Sequence, residues 1–198
     1  EEIVNAAYRE GCDFIAMSTH GQNVTLPGLL GSVADKVVHT SRVPVLSVAP
    51  ARAEMYRGRE AFVRSLERLV EPDMSRMMVP LDGSLLSELM LPYVENLARR
   101  LSLRVLLATV VRRLEDTGST DHSDDQARAA NDARAYLDES AQKLAAKGLA
   151  VEVRVLVGHA AVSLIELAKE VSPDIIAIAT QGRERWALGS VAEALVRG

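Results

Sequence analysis

A single cysteine, Cys12, stands among 198 residues, so the chain has no internal disulfide. Cys12 opens an apolar run and has no evident cation near it, so a small buried thiol is expected rather than a reactive one. Basic residues are not in excess: 23 Lys and Arg against 27 Asp and Glu give a net charge of −4. That balance supplies no drive toward nucleic acid, which needs a basic face. No apolar run approaches the roughly 18–20 residues of a membrane span. Phosphate and catalytic fingerprints are missing as well. There is no GxGxxG after a strand, no GxxxxGK[ST], no GxSxG elbow and no HExxH. His20, His39, His122 and His159 do not fall at metal-ligand spacing. The expectation is a cytoplasmic protein without metal, membrane or nucleic-acid partners, and without a nucleophile–base set for turnover.

What the chain does have is alternation. Six short apolar runs occur at 13–18, 43–49, 77–81, 104–111, 151–157 and 174–180. Most are nearly continuous in apolar side chains, as strands covered on both faces require. Between them lie helical patterns. Residues 84–101 place Leu86, Leu89, Met90, Val94, Leu97 and Leu101 on one stripe, which predicts a single long helix. Residues 125–147 do the same with Ala129, Ala133, Tyr136, Leu137, Ser140 and Leu144, and residues 161–171 form a third helix. Strands alternating with helices predict an α/β fold with a mostly parallel, doubly wound sheet.

Two segments break the alternation. Residues 51–75 read as an amphipathic connector helix, with Phe62, Val63, Leu66, Leu69 and Val70 at helical spacing among arginines and glutamates. Residues 114–125 are polar and acidic and predict a loop; Asp121, His122, Asp124 and Asp125 lie there without anything to fix a metal geometry.

The chain also repeats itself. The segment 13-DFIAMSTHG-21 matches 174-DIIAIATQG-182, and 31-GSVADKVV-38 matches 189-GSVAEALV-196, with the second loop three residues shorter. The expected organisation is residues 1–50 as the last part of one repeat and 76–198 as a second repeat lacking its last strand. Because 43–49 is then a last strand without a counterpart, it is expected to pair beside 174–180 or across a homodimer.

In a doubly wound sheet the ligand crevice lies at the carboxyl ends of the strands, where strand order reverses. Asp82 ends the third run, and Gly31-Ser32 and Gly189-Ser190 each open a helix. Helix N-termini attract anions, and a carboxylate at Asp82 suits a ribose hydroxyl or an adenine amine. The competing reading is purely structural. Ser32 with Asp35, and Ser190 with Glu193, have the spacing of capping boxes, and Asp82-Gly83-Ser84 that of a turn with a cap.

Residues 78–101 and 158–183, with 12–21, 31–38 and 44–48, resemble the universal stress protein (UspA) family in a tandem-repeat form. The resemblance implies a five-stranded parallel sheet in the order 3-2-1-4-5, dimerising through the last strand. Some members bind ATP or AMP. Their pattern is Gly, two residues, Gly, nine residues, then Gly-Ser or Gly-Thr. In the first copy it falls on Ser18, Gly21 and Gly31-Ser32, with the full nine residues; in the second, on Ala179, Gly182 and Gly189-Ser190-Val191, with only six. By the same resemblance Asp82 and Val110 lie against base and ribose, and Gly158 borders the pocket. The implied function is a non-catalytic regulatory module that binds ATP or AMP, with Mg where the ligand is ATP. A dimeric scaffold without nucleotide is the alternative.

Overall fold

The computed structural model describes residues 2–19, 30–48, 74–114, 123–180 and 190–197. The connector at 51–73, and with it the expected amphipathic helix, lies outside the described residues, as do Gly21, Asp121, His122, Gly182 and Gly189. The chain divides into two compact units, Glu1–Asp73 with Val196–Gly198, and Met74–Leu195.

In the first unit, α1 (Glu2–Arg9) leads to β1 (Ile15–Ser18), then α2 (Ser32–Thr40) and β2 (Val45–Val48). The two strands are parallel, in register from Ile15 opposite Val45 to Ser18 opposite Val48. Parallel neighbours need a crossover, and α2 lies within it. Ala7, Ile15 and Val37 form a small core, with Val4, Met17, Val43 and Val45 packed around them. One expectation is corrected here. Cys12 is exposed, because it belongs to the turn that closes α1, where its amide donates to the Ala7 carbonyl at 2.9 Å, and not to the strand that follows.

In the second unit the order is β3 (Arg76–Pro80), α3 (Leu85–Glu88), α4 (Leu91–Leu101), β4 (Arg104–Val111), α5 (Ser123–Ala145), β5 (Val151–Val157), α6 (Ala160–Val171) and β6 (Ile175–Ile176). A last helix, α7 (Ser190–Arg197), follows. The sheet is four-stranded, ordered β5-β4-β3-β6, and every pairing in it is parallel. The chain therefore winds outward from β3 to β4 and β5, then returns to β3's other side as β6. That is the first four places of the 3-2-1-4-5 order expected from the sequence.

Burial explains why the central runs are continuously apolar. Alternate residues of β3 and β4 face opposite cores. Met77, Val79, Val105 and Leu107 meet Val94 and Ala98 of α4 and Leu137 and Leu144 of α5. Met78, Leu106 and Ala108 meet Leu164 and Leu167 of α6, with Val191 and Leu195 of α7 packed beside them. A strand covered twice has no polar face, whereas β5, at the edge, alternates with Glu152 and Arg154 exposed.

The helix predicted over 84–101 is in fact two. Pro92 sits in the first turn of α4 and has no N–H to continue the ladder from α3, so the chain breaks at Leu89–Met90. The break shifts the helical phase: Val94 is buried and Met90 and Leu97 pack on the core, while Leu86, Leu89 and Leu101 are exposed. Helix α5 also begins earlier than expected. Residues 123–125 form its first turn instead of loop, with Asp124 and Asp125 at the favourable end of the helix dipole.

Candidate functional site

The carboxyl rim of the second unit's sheet collects the residues singled out from sequence. Pro80 of β3 pairs with Ala108 of β4, so Asp82 and Val110, each two residues further on, reach the rim at the same height. Val111 pairs with Val157, and the Gly158 amide donates to the Val111 carbonyl at 2.9 Å, which brings Gly158 to that rim too. Val110 and Val191 both pack against the core face formed by Met78, Leu106 and Ala108, so the start of α7 lies on the same side of the sheet as Val110. Strand order reverses between β3 and β6, so this rim is the topological switch point.

Asp82 is held by its own turn. Its Oδ1 accepts the Ser84 amide at 2.9 Å and the Ser84 hydroxyl at 2.5 Å. Gly83 has φ +74°, the left-handed region that glycine enters without steric cost. Ser84 is the N-cap of α3: its Oγ accepts the Ser87 amide at 3.2 Å, and the Ser87 hydroxyl donates to the Ser84 carbonyl at 2.8 Å. The turn-and-cap reading of Asp82-Gly83-Ser84 is thereby confirmed. Burial pushes the Asp82 carboxyl up, but the hydrogen bonds from Ser84 and Ser87 more than offset it, leaving its pKa below the ordinary value of 3.8. The carboxylate therefore stays ionised, with both Ser84 bonds on Oδ1.

The glycine at 158 has a steric reason. Its φ is +156°, and a Cβ there would lie 2.7 Å from Ser163 Oγ. A side chain there is disfavoured by the backbone conformation and would make the Ser163 hydroxyl turn away.

In both capping boxes the serine is the first helical residue. At α2 the N-cap is Gly31, and Ser32 is already the first helical residue, so no side chain caps this end. The helix starts one residue earlier than the box requires, because the Gly31 amide is fixed to the Thr19 carbonyl at 2.8 Å and its carbonyl accepts the Asp35 amide at 2.9 Å. Asp35 instead lies 3.6 Å from His39 Nδ1, one turn along. Gly31 and Ser32 belong to the first unit. At α7 Ser190 is likewise the first helical residue.

Sequence reasoning missed one member of the rim. Tyr136, read as a core position on α5, packs on the core with its ring, and its hydroxyl oxygen is buried without a closely aligned hydrogen bond among the described residues. Burial first, then the charge of Glu88 and a loose hydrogen bond to it, pushes its pKa up to about 12, while Ser87 acts in the opposite direction. The only sequence signal was a tyrosine where the stripe asks for an aliphatic residue. Among the described residues no cluster of His, Cys, Asp and Glu is arranged to hold a metal ion, and no helix is long and apolar enough to cross a membrane.

Comparison with known proteins adds to this geometry. A model of the universal stress protein family matches residues 1–49 and 74–198. A crystal structure of a protein of that family from Burkholderia pseudomallei aligns at 26% identity and a TM-score of 0.53, over 64% of this chain and 91% of the other. UspA from Lactobacillus plantarum aligns over similar shares, 64% and 92%, at 21% identity and a TM-score of 0.56. A universal stress protein from Archaeoglobus fulgidus aligns over 99% of this chain at 23% identity and a TM-score of 0.62; the chain spans 62% of that protein's length. The last two likenesses bear on the fold alone. No curated protein matches the chain.

Proposed function

The chain belongs to the universal stress protein family, and on that premise we propose that it is a non-catalytic regulatory module binding an adenine nucleotide, ATP or AMP, in at least one of two tandem repeats. The observation that carries this reading is that Asp82 and Val110 lie level at the carboxyl ends of β3 and β4, with Gly158 just past the end of β5 on the same rim, and that Val191 of α7 packs on the face that Val110 shares. Asp82 Oδ2 would accept a ribose hydroxyl or the adenine amine, Val110 would provide apolar contact, and Gly158 would leave room for the ligand. The Ser190 end of α7, with Gly182 and Gly189, would meet the phosphates, and Mg2+ would accompany ATP. In the first repeat Gly21, Gly31 and Ser32 keep the full loop spacing, and the uncapped start of α2 suits an anion. Pairing through the last strand, between repeats or between two copies, completes the proposed assembly.

A second reading is a scaffold for a protein partner, without nucleotide. It is favoured by the engagement of Asp82 Oδ1 within its own turn and by a second loop three residues shorter than the first.

Isothermal titration with ATP and with AMP separates the two. Saturable heat that disappears in Asp82→Ala supports the nucleotide reading. Absence of both heat and thermal shift at millimolar nucleotide would sink it. Phosphate release above background would revise the non-catalytic assignment.

A further inference from the structure

Strand β5 closes one side of the second unit's sheet, and among the described residues its outer edge is unpaired. Its seven residues pair with β4 alone. The phase of that pairing is fixed at both ends. The Val105 amide donates to the Ala150 carbonyl at 2.8 Å, and the Gly158 amide to the Val111 carbonyl at 2.9 Å. The even-numbered residues of β5 therefore turn their amides and carbonyls toward β4. Those of Val151, Val153, Val155 and Val157 point outward, and no described residue bonds to them. Seven residues make a long open edge, and an open edge is a template for another strand. The side chains alternate between the two faces. Val151, Val153 and Val155 pack on the core beneath α5, and Leu156 packs on the opposite core beneath α6. Glu152 and Arg154 share the face of Leu156, yet both are exposed and neither has an ion-pair partner among the described residues.

An edge guarded against pairing carries charge of one sign, which repels its own copy. This edge carries one charge of each sign, on either side of Val153. We propose that β5 is an interface between two copies of this chain, paired edge to edge and antiparallel about a two-fold axis at Val153. Glu152 then stands opposite the partner's Arg154, and Arg154 opposite the partner's Glu152. The backbone phase agrees with that register. Val153 meets the partner's Val153, and Val151 the partner's Val155, as hydrogen-bonded pairs made by the outward amides and carbonyls. The two Glu–Arg pairs fall at non-hydrogen-bonded positions, where facing side chains come closest. Moving the axis to residue 152 or 154 sets Glu against Glu or Arg against Arg, so the charges select one register. The contact joins two four-stranded sheets into one and closes on itself by symmetry. Antiparallel pairing sends the two carboxyl rims to opposite ends, so the contact is independent of what binds there. Because β6 lies at the other side of the sheet, the contact is also separate from any pairing beyond β6. One strand is a small interface, and a dissociation constant of about 1–100 μM is expected.

Sedimentation equilibrium of the full chain reads this association. Glu152→Arg and Arg154→Glu each set like charges at both facing pairs, and each should weaken it by about tenfold. Mixed in equal amounts, the two variants should associate at least as tightly as wild type, because every facing pair is then Arg against Glu. The double variant of Glu152→Arg with Arg154→Glu keeps opposite charges facing and should stay within about threefold of wild type. Val153→Pro removes an outward N–H at the centre of the contact and should abolish the association. An edge position tolerates proline, so this variant should melt as dilute wild type does. A wild-type chain that stays monomeric at about 100 μM overturns the proposal. Unchanged association in Val153→Pro or in either single-charge variant overturns it too. So does a mixture of the two charge variants that associates no better than each alone.

Discussion

The Asp174 carboxylate accepts the backbone amide of Arg76 at 3.0 Å, across 98 positions of sequence. The same oxygen takes the Ser75 amide at 2.8 Å, and the Arg76 guanidinium donates to the Val171 carbonyl at 3.2 Å. The entry of β6 is thus stapled to the entry of β3, at the opposite end of the strands from the candidate site. The switch point, where β6 joins β3 after two other strands have been laid down, depends on that staple for its register.

The staple titrates. The amide of Ser75, with help from Arg76, holds the Asp174 carboxyl below its ordinary value of 3.8. A carboxyl with a depressed folded pKa stabilises the fold above its unfolded pKa and loses that contribution as pH falls through the folded one. Asp174→Ala should cost about 1 kcal/mol at pH 7, an ionic hydrogen-bond contribution reduced by solvent screening. The deficit should shrink toward pH 2. Urea unfolding at both pH values checks this, and an equal deficit at the two would contradict it.

Tyr136 gives the opposite limb. Its folded pKa, about 12, lies above the ordinary value of 10 because burial and the nearby Glu88 charge disfavour the phenolate. The folded chain then holds the proton more tightly than the unfolded one. Stability is complete below pH 10 and is lost as pH rises through 12. An ultraviolet titration should show a tyrosine that ionises late, and Tyr136→Phe should remove that late step. A titration curve left unchanged by Tyr136→Phe would refute the environment described for it.

Gly158→Ala should destabilise by about 1–3 kcal/mol, since the new methyl meets Ser163 Oγ at 2.7 Å and the backbone stays at φ +156°. Adding Ser163→Ala should recover only the part due to the clash. Thermal melts of the single and double variants separate the two contributions, and full recovery would show that the backbone carries no strain.

Leu107 and Leu85 calibrate the core. Leu107 is wholly buried and Leu85 is 73% exposed. Leu107→Ala should cost about 2–5 kcal/mol by leaving a cavity between β4 and the α4–α5 layer. Leu85→Ala should stay within about 0.5 kcal/mol of wild type. Equal effects in urea unfolding would mean that the assigned core is wrong.

The strands were legible because a doubly covered strand needs nearly continuous apolar residues. The runs at 104–111 and 151–157 are β4 and β5 without a change of boundary. The helix at 84–101 was legible as helix but not as two, since Leu86, Leu89 and Leu101 satisfy the spacing while Pro92 resets the phase. Cys12 and Ser32 were each misplaced by a local turn: one closes α1, and the other follows a cap that a carbonyl of β1's end had already fixed at Gly31.

The site divides along the same line. Sequence by itself determined that this chain alternates strand and helix and that Asp82-Gly83-Ser84 is a turn with a cap. These are properties of neighbours in the chain, governed by backbone geometry and by the periods of helix and strand. Only the tertiary structure set Asp82 level with Val110, brought Gly158 against Ser163, and buried the Tyr136 hydroxyl beside Glu88. Those relationships join residues dozens of positions apart. They follow from strand register and from which helix covers which face, both decided by how the whole second unit buries its two cores.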